Sequence, residues 1–141
     1  MRSLGSSLLV RAIVAGIIGA VIVDAFLSIK QHVSPVVLET NIATTVAGPG
    51  ASPLLGVLVH LMIAIVWALS YAYVFNALGQ LQNWIAGTIV LGVVVDAVMN
   101  FIVAMKTGAP WGPAFATGLI TNVVFYALPV AFYLARTVRR A

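Results

Sequence analysis

"LLGVLVHLMIAIVWALSYAYVFNAL", residues 54–78, contains no acidic residue, no lysine and no arginine. An α-helix rises 1.5 Å per residue, so about 20 consecutive apolar residues cross the roughly 30 Å hydrocarbon core of a bilayer. The stretch therefore predicts a membrane-spanning helix.

The composition extends this prediction to the whole chain. Of its 141 residues, 62% are hydrophobic and only 7% are charged, whereas about a quarter of the residues in a soluble domain are charged. Apolar runs of the same kind predict four spans, at residues 8–29, 54–78, 84–105 and 113–135. We therefore expect one transmembrane domain over residues 1–141, an all-α bundle of four membrane-spanning helices, with no room for a soluble enzymatic module.

The basic residues lie at the ends of the predicted helices. Five belong to the two termini and two to the opposite end of the bundle: Arg2, Arg11, Arg136, Arg139 and Arg140, against Lys30 and Lys106. The positive-inside rule then places both termini in the cytoplasm. The net charge of +4 fits this topology and contact with anionic lipid headgroups, and it does not indicate nucleic-acid binding.

The longest predicted loop, residues 30–52, has the pattern of a short helix. Ser34 and Pro35 suit the N-cap and the first helical position, and the Gly-Pro-Gly sequence at residues 48–50 ends a helix. Apolar and polar residues both occur between them, which predicts a helix lying on the outer membrane surface. A re-entrant segment would require the burial of Glu39, so the pattern favours the surface helix.

The first and third predicted helices resemble each other. Aligning residues 13–29 with residues 85–101 places Asp24 over Asp96, a notable match because the chain has only three acidic residues. Neighbouring positions also correspond: Ala20 with Gly92, Ser28 with Asn100 and, in a weaker alignment of the second and fourth helices, His60 with Asn122. The pattern predicts two helical hairpins related as a parallel repeat.

Depth along the helices predicts which polar residues meet. Asp24 lies roughly 9 Å from the end of its helix at 1.5 Å per residue, and His60 lies at nearly the same depth in the next helix. Asp96 and Asn122 match in depth in the same way, with Asn100 one turn away from Asp96 on the same face. The sequence therefore predicts an intramembrane polar site built from two pairs, Asp24 with His60 and Asp96 with Asn122.

Two interpretations of these pairs remain open. An unpaired charged aspartate costs about 2.5–3.5 kcal/mol at the bilayer centre, so hydrogen bonding between helices is one reason for the pairs to exist. Such bonds contribute about 0.6 kcal/mol each on average. The other interpretation is a proton or cation site, because an aspartate beside a histidine exchanges protons near neutral pH.

Small residues on the first helix form a stripe. Ala12, Gly16 and Ala20 recur every four residues and allow close approach of another helix, and Gly92 does the same on the third helix. Pro129 is expected to interrupt the fourth helix and free the carbonyl of Phe125.

Several kinds of chemistry have no counterpart in the sequence. The chain has no cysteine, which excludes disulfides and thiolate metal sites, and it shows no nucleophile–base pair and no phosphate-binding loop. His32 falls in the loop, so His60 has no second histidine with which to bind haem. We expect no enzymatic activity, no cofactor and no metal.

Two segments carry a resemblance to a known family. "HLMIAIVWALSYAYVF", residues 60–75, and "NWIAGTIVLGVVVDAVMNF", residues 83–101, resemble the YagU-like group of small four-helix bacterial inner-membrane proteins. The resemblance implies a bundle in the bacterial inner membrane. It implies no activity, because the group has no settled one.

Three functions follow as expectations. The first is a non-enzymatic membrane protein that packs into a homo-oligomer or a larger membrane complex. The alternative is a small proton- or cation-linked transporter or channel that uses Asp24 with His60 and Asp96 with Asn122. A protein that binds a lipid or quinone is the third.

Overall fold

The computed structural model describes residues 4–108 and 113–138, and these residues form helices without any strand. The helices are α1 (Leu4–Gln31), α2 (Pro35–Ala47), α3 (Pro53–Ala77), α4 (Trp84–Thr107), α5 (Pro113–Ile120) and α6 (Leu128–Val138). A π-helical segment, Thr121–Ala127, joins α5 to α6. The all-α class is confirmed. Arg2, Arg139 and Arg140, on which the topology prediction partly rests, lie outside the described residues.

Four helical stretches are long and apolar enough to cross a membrane. They are Ser7–Gln31, Pro53–Ala77, Trp84–Thr107 and Gly118–Val138. The chain is therefore a multi-pass membrane protein by helix length and composition, with spans close to those that the sequence predicts. We call the end of the bundle where α1 ends and α3 begins the α2 end, and the opposite end the termini end.

The four spans form a bundle that is open on one side. α1 packs against α3 and against the π-helical segment and α6, while α4 packs against the α5–α6 helix. α3 and α4 touch much less. The core between the helices is rich in alanine, whose small side chain lets helix backbones approach closely. Six alanines of the spans are fully buried, namely Ala12, Ala15, Ala68, Ala72, Ala127 and Ala131, and Ala43 of α2 is buried to the same degree.

The predicted small-residue positions lie in helix contacts within the chain. A Cβ atom at Gly16 would lie 2.7 Å from the Cα atom of Ile65, so α1 and α3 approach backbone to backbone there. A Cβ atom at Gly92 would lie 2.6 Å from the Cα atom of Val123, which gives α4 the same close contact with the fourth span.

The helix predicted in the first loop is present as α2, but Glu39 faces the bundle. Ser34 caps α2 by accepting a hydrogen bond from the Val37 amide, and Gly48 ends it with a φ of 90°. Glu39 is only 5% exposed and packs against α3. The expectation that Glu39 belongs to a solvent-facing surface is therefore wrong, because the residue finds polar partners inside the bundle.

The backbone hydrogen bonds of the fourth span change from α-helical to π-helical before Pro129. The Leu128 amide donates to the carbonyl of Val123, five residues earlier, where an α-helix would use the residue four earlier. Proline has no amide proton and crowds the preceding turn, so the backbone N-terminal to Pro129 is where an irregularity is expected. Asn122 and Tyr126 lie in this segment, so it positions two polar side chains of the interior.

The glycine contact gives a test of the packing. Replacing Gly16→Leu should lower the free energy of unfolding by about 1–3 kcal/mol or more, because the side chain meets the α3 backbone. Ala25→Leu on the exposed face of α1 is the matched control and should have little effect. Unfolding in mixed detergent micelles measures both, and equal stability of the two variants would contradict the packing.

Candidate functional site

Two groups of polar side chains interrupt the apolar interior. The histidine cluster consists of Asp24 on α1, Glu39 on α2 and His60 on α3. The asparagine cluster consists of Asp96 and Asn100 on α4 with Asn122 in the π-helical segment. Together they contain all three acidic residues of the chain.

The histidine cluster converges on one ring nitrogen. His60 Nδ1 lies 2.9 Å from Asp24 Oδ1 and 3.2 Å from Glu39 Oε1. One potential ligand atom from each residue lies within 4.8 Å of the others. The side chains of His60 and Asp24 keep 18% and 26% of their surface exposed, so the cluster is sheltered but reachable. The pairing of Asp24 with His60 that the depth argument predicts is present.

The histidine cluster has more acceptor atoms than protons. A ring nitrogen carries at most one proton, so Nδ1 donates to one carboxylate at a time. Its hydrogen-bond geometry is met with Glu39 Oε1. Asp24 Oδ1, although close, and Glu39 Oε2 are buried without a hydrogen-bond partner among the described residues. The cluster therefore has acceptor atoms available for an additional proton or cation.

Glu39 is a carboxylate whose surroundings favour its neutral form. Burial raises the pKa of Glu39 above its ordinary value, and the nearby Asp24 carboxylate raises it further, while the hydrogen bond with His60 opposes both. The net direction of the pKa shift is upward. The surroundings of Glu39 therefore favour a proton on its carboxylate.

The position of Glu39 depends on a glycine in α3. A Cβ atom at Gly56 would overlap the carbonyl oxygen of Glu39, so only glycine lets the α2 backbone come this close. His60 lies one turn further along α3, which brings its ring beside the Glu39 carboxylate.

The asparagine cluster is buried more deeply. Asp96 is 0% exposed, and its Oδ1 accepts hydrogen bonds from Asn122 Nδ2 at 2.9 Å and Asn100 Nδ2 at 3.1 Å. Asp96 Oδ2 is buried without a partner among the described residues. A Cβ atom at Gly118 would collide with Asp96 Oδ1, so the glycine leaves the space that the carboxylate fills. The pairing of Asp96 with Asn122 is also present.

A cavity of about 390 Å³ adjoins the asparagine cluster. All three residues of the cluster line it, and Lys30 and Gln31 at the end of α1 also belong to its wall. Because Lys30 is exposed, this cavity connects the asparagine cluster with the α2 end of the bundle.

A second cavity, of about 570 Å³, lies between α2, α3 and α4. It is mostly apolar and includes Met62, Val66 and Ile102 in its wall, with no acidic residue and no histidine among those that line it. Lys106 Nζ, at its edge, donates a hydrogen bond to the carbonyl of Thr45 at 3.3 Å. The cavity has space for an apolar molecule, but it lacks the titratable groups of the two clusters.

Glu39 is the site residue that the sequence reasoning missed. The sequence has only three acidic residues, and the other two were both assigned to the polar site. That scarcity could have indicated that Glu39 belongs to the same site. The pattern of α2 instead suggested a solvated position for Glu39, and its proximity to His60 was therefore not predicted.

The comparisons with known proteins found no relative. No family model matches the chain, and neither the curated proteins nor the solved structures contain a match. The fold and the site define the chain as a multi-pass helical membrane protein with two polar clusters between its helices. The resemblance to the YagU-like group and the internal repeat stay predictions.

The raised pKa of Glu39 gives a pH dependence with a definite sign. The folded protein favours the neutral form of Glu39. The stability that Glu39 contributes is therefore fully present below the ordinary glutamate pKa of 4.5, and it is lost as the pH rises through the higher pKa that Glu39 has in the folded protein. Glu39→Gln cannot ionise, and its stability should fall less over this range. Thermal unfolding of both proteins in a pH series measures the difference, and parallel curves would contradict it.

Asp96 should tolerate an amide but not an apolar side chain. Asp96→Asn keeps a side-chain acceptor for Asn100 and Asn122, whereas Asp96→Leu removes the acceptor of Asn122 Nδ2 and leaves Asn100 Nδ2 only the carbonyl of residue 96. The leucine variant should lose about 1–3 kcal/mol of unfolding free energy and the asparagine variant clearly less. The comparison uses unfolding in mixed micelles, and equal losses would argue against a hydrogen-bonding role.

Proposed function

We propose that this chain is a small membrane transport protein that binds protons or other cations at the histidine cluster. The observation that carries the proposal is the placement of two carboxylates on a single imidazole nitrogen inside an apolar bundle. When both carboxylates are ionised, even a protonated His60 leaves one negative charge, which a proton on Glu39 or another cation removes. Low-dielectric surroundings make that state costly, which favours uptake of a cation.

The exposure of the cluster supports exchange rather than permanent burial of the cation. Asp24 is partly accessible, and α2 covers the cluster as a separate short helix between two loops. A cation held by a histidine and two carboxylates near a protein surface exchanges with the solution. Histidine is also the side chain whose charge ordinarily changes near neutral pH.

The asparagine cluster supplies a second polar position in the same proposal. Its cavity reaches Lys30 at the α2 end, so both clusters are approached from the same end of the bundle. Toward the termini end, the interior is filled by Val130 and Leu134, which are fully buried. This asymmetry favours a carrier that changes conformation over a permanently open channel.

The proposed orientation keeps both termini in the cytoplasm of a bacterial inner membrane. Arg11 and Arg136 lie at the termini end, and Arg11 Nη1 donates a hydrogen bond to the carbonyl of Thr137 at 2.7 Å. The sequence has three more arginines close to its two termini, so most basic residues belong to the same side of the spans. The α2 end, with both polar clusters, then opens to the periplasm.

Two other functions remain as proposals. The apolar cavity between α2, α3 and α4 favours, as a second candidate, the binding of a lipid or quinone tail, with Lys106 at the cavity edge for an anionic or polar head. That function uses no member of the histidine cluster and is therefore separable from cation binding by variants. Assembly into a homo-oligomer or a larger complex, without enzymatic activity, stays a prediction.

Flux measurements in liposomes test cation transport. The protein is reconstituted with a pH-sensitive dye inside, and an ion gradient is imposed across the membrane. The parent protein should give a flux well above empty liposomes, and Asp24→Asn should reduce it at least tenfold, because the amide keeps the shape of the side chain but cannot carry the charge.

His32→Asn is the matched control, because it removes the other histidine and keeps a residue that tolerates the positive φ of 54° at this position. It should leave the flux unchanged. A parent protein without flux, or a flux that survives Asp24→Asn combined with Glu39→Gln, would refute transport through the histidine cluster.

A further inference from the structure

We propose that the histidine cluster is a binding site for a divalent transition-metal ion of the Zn²⁺ class, with His60 Nδ1 and the carboxylates of Asp24 and Glu39 as its ligands. The inference rests on the proposed function, because it names the cation that the same site takes. The sequence predicted only the pair of Asp24 and His60, and Glu39 is the third ligand that the structure adds.

The distances match those between ligands that share one metal ion. Zn²⁺ binds imidazole nitrogen and carboxylate oxygen at about 2.0–2.2 Å, and at tetrahedral or octahedral angles this separates neighbouring ligand atoms by about 2.9–3.5 Å. His60 Nδ1 lies 2.9 Å and 3.2 Å from the nearest oxygens of Asp24 and Glu39. The third pair of ligand atoms lies within 4.8 Å, so a small rotation of one carboxylate completes the set.

Unsatisfied buried atoms point to a ligand independently of these distances. Glu39 is only 5% exposed, and its Oε2 has no hydrogen-bond partner in the part of the chain that the structure describes. Asp24 Oδ1 lies 2.9 Å from His60 Nδ1 but likewise has no hydrogen-bond partner among the described residues. Buried polar atoms in proteins are nearly always satisfied, and a metal ion uses the lone pairs of both carboxylates.

Charge balance favours a divalent ion. Two ionised carboxylates, a neutral imidazole and one divalent cation sum to zero, which is the least costly state in an apolar bundle. With both carboxylates ionised, a monovalent cation or a protonated His60 leaves one negative charge, whereas a divalent ion neutralises both and keeps both as ligands. Divalence alone does not identify the metal, and the type of ligand decides that question.

The ligand set distinguishes between divalent ions. Ca²⁺ takes six to eight oxygen ligands, and Mg²⁺ keeps an octahedral shell of oxygen atoms with several waters. A neutral imidazole is instead a preferred ligand of Zn²⁺ and neighbouring transition metals. One nitrogen and two carboxylates therefore fit a transition metal better than an alkaline-earth ion.

The number of ligands indicates an exchangeable ion. Structural zinc sites are closed by four protein ligands, whereas three protein ligands leave a position for water. The partial exposure of Asp24 provides access for that water and for the ion itself. Because the ligands come from α1, α2 and α3, a bound ion also ties α2 to the two spans beneath it.

The asparagine cluster offers no equivalent ligand set. Both amide Nδ2 groups already donate to Asp96 Oδ1. Asp96 Oδ2 also lacks a partner among the described residues, but the cluster contains no second carboxylate and no histidine to bind a metal ion together with it.

Calorimetric titration tests the site directly. The protein is purified without a polyhistidine tag, stripped with a chelator, placed in lipid nanodiscs and titrated with Zn²⁺. We expect one ion per chain, and at least tenfold weaker binding in His60→Gln, Glu39→Gln and Asp24→Asn. His32→Asn should bind like the parent protein. An affinity that is the same in the parent and in His60→Gln overturns the site.

Co²⁺ provides a measurement that needs no variant. Coordination by one nitrogen and two carboxylates in a four- or five-coordinate site should give visible absorption bands much stronger than those of hydrated Co²⁺, and Zn²⁺ should abolish them by displacement. A spectrum identical to that of hydrated Co²⁺ in the presence of the folded parent protein overturns the site even if the variants fail to fold.

Experiments can refute cation transport and the metal site independently of each other. Flux that depends on Asp24 without any specific Zn²⁺ or Co²⁺ binding overturns the metal site and leaves proton transport standing. One-to-one metal binding that requires His60, in a protein without flux, supports the metal site and overturns transport. Thermal stabilisation by Zn²⁺ in the parent but not in Glu39→Gln supports the role of α2 in holding the ion.

Discussion

The hydrocarbon core of a bilayer offers no water to a buried carboxylate, and this constraint organises the interior of the bundle. Each of the three acidic residues meets a polar side chain from another helix, and those contacts tie the helices together. Asp24 and His60 align α1 with α3, Glu39 holds α2 against both, and Asp96 links α4 to the fourth span. A few polar atoms thus fix contacts that uniform apolar packing would leave interchangeable.

The parts of the structure that follow from length and composition could be predicted from the sequence. Membrane thickness sets the length of a spanning helix, so hydropathy alone locates the four spans. The pairing of Asp24 with His60 and of Asp96 with Asn122 also follows, because antiparallel helices of fixed rise bring residues of equal depth together. What these pairs do cannot be read from their position.

The parts that depend on tertiary contacts could not be predicted. The orientation of Glu39 depends on the backbone contact between α2 and Gly56. The local sequence of α2 does not predict that contact. Pro129 indicates an irregular fourth helix, but the π-helical form of the irregularity also depends on the neighbouring helices. The histidine cluster therefore appears in the sequence as a pair, and only the fold supplies its third member.

The divergence of α3 from α4 has a consequence for how molecules reach the larger cavity. At the termini end the two helices meet, with Tyr71 against Gly87, while toward the α2 end they enclose about 570 Å³. Because α3 and α4 are both membrane spans, a gap between them would open toward the acyl chains. A hydrophobic compound would arrive there by two-dimensional diffusion in the leaflet, so its partition coefficient, and not its aqueous solubility, would set the concentration that the cavity experiences.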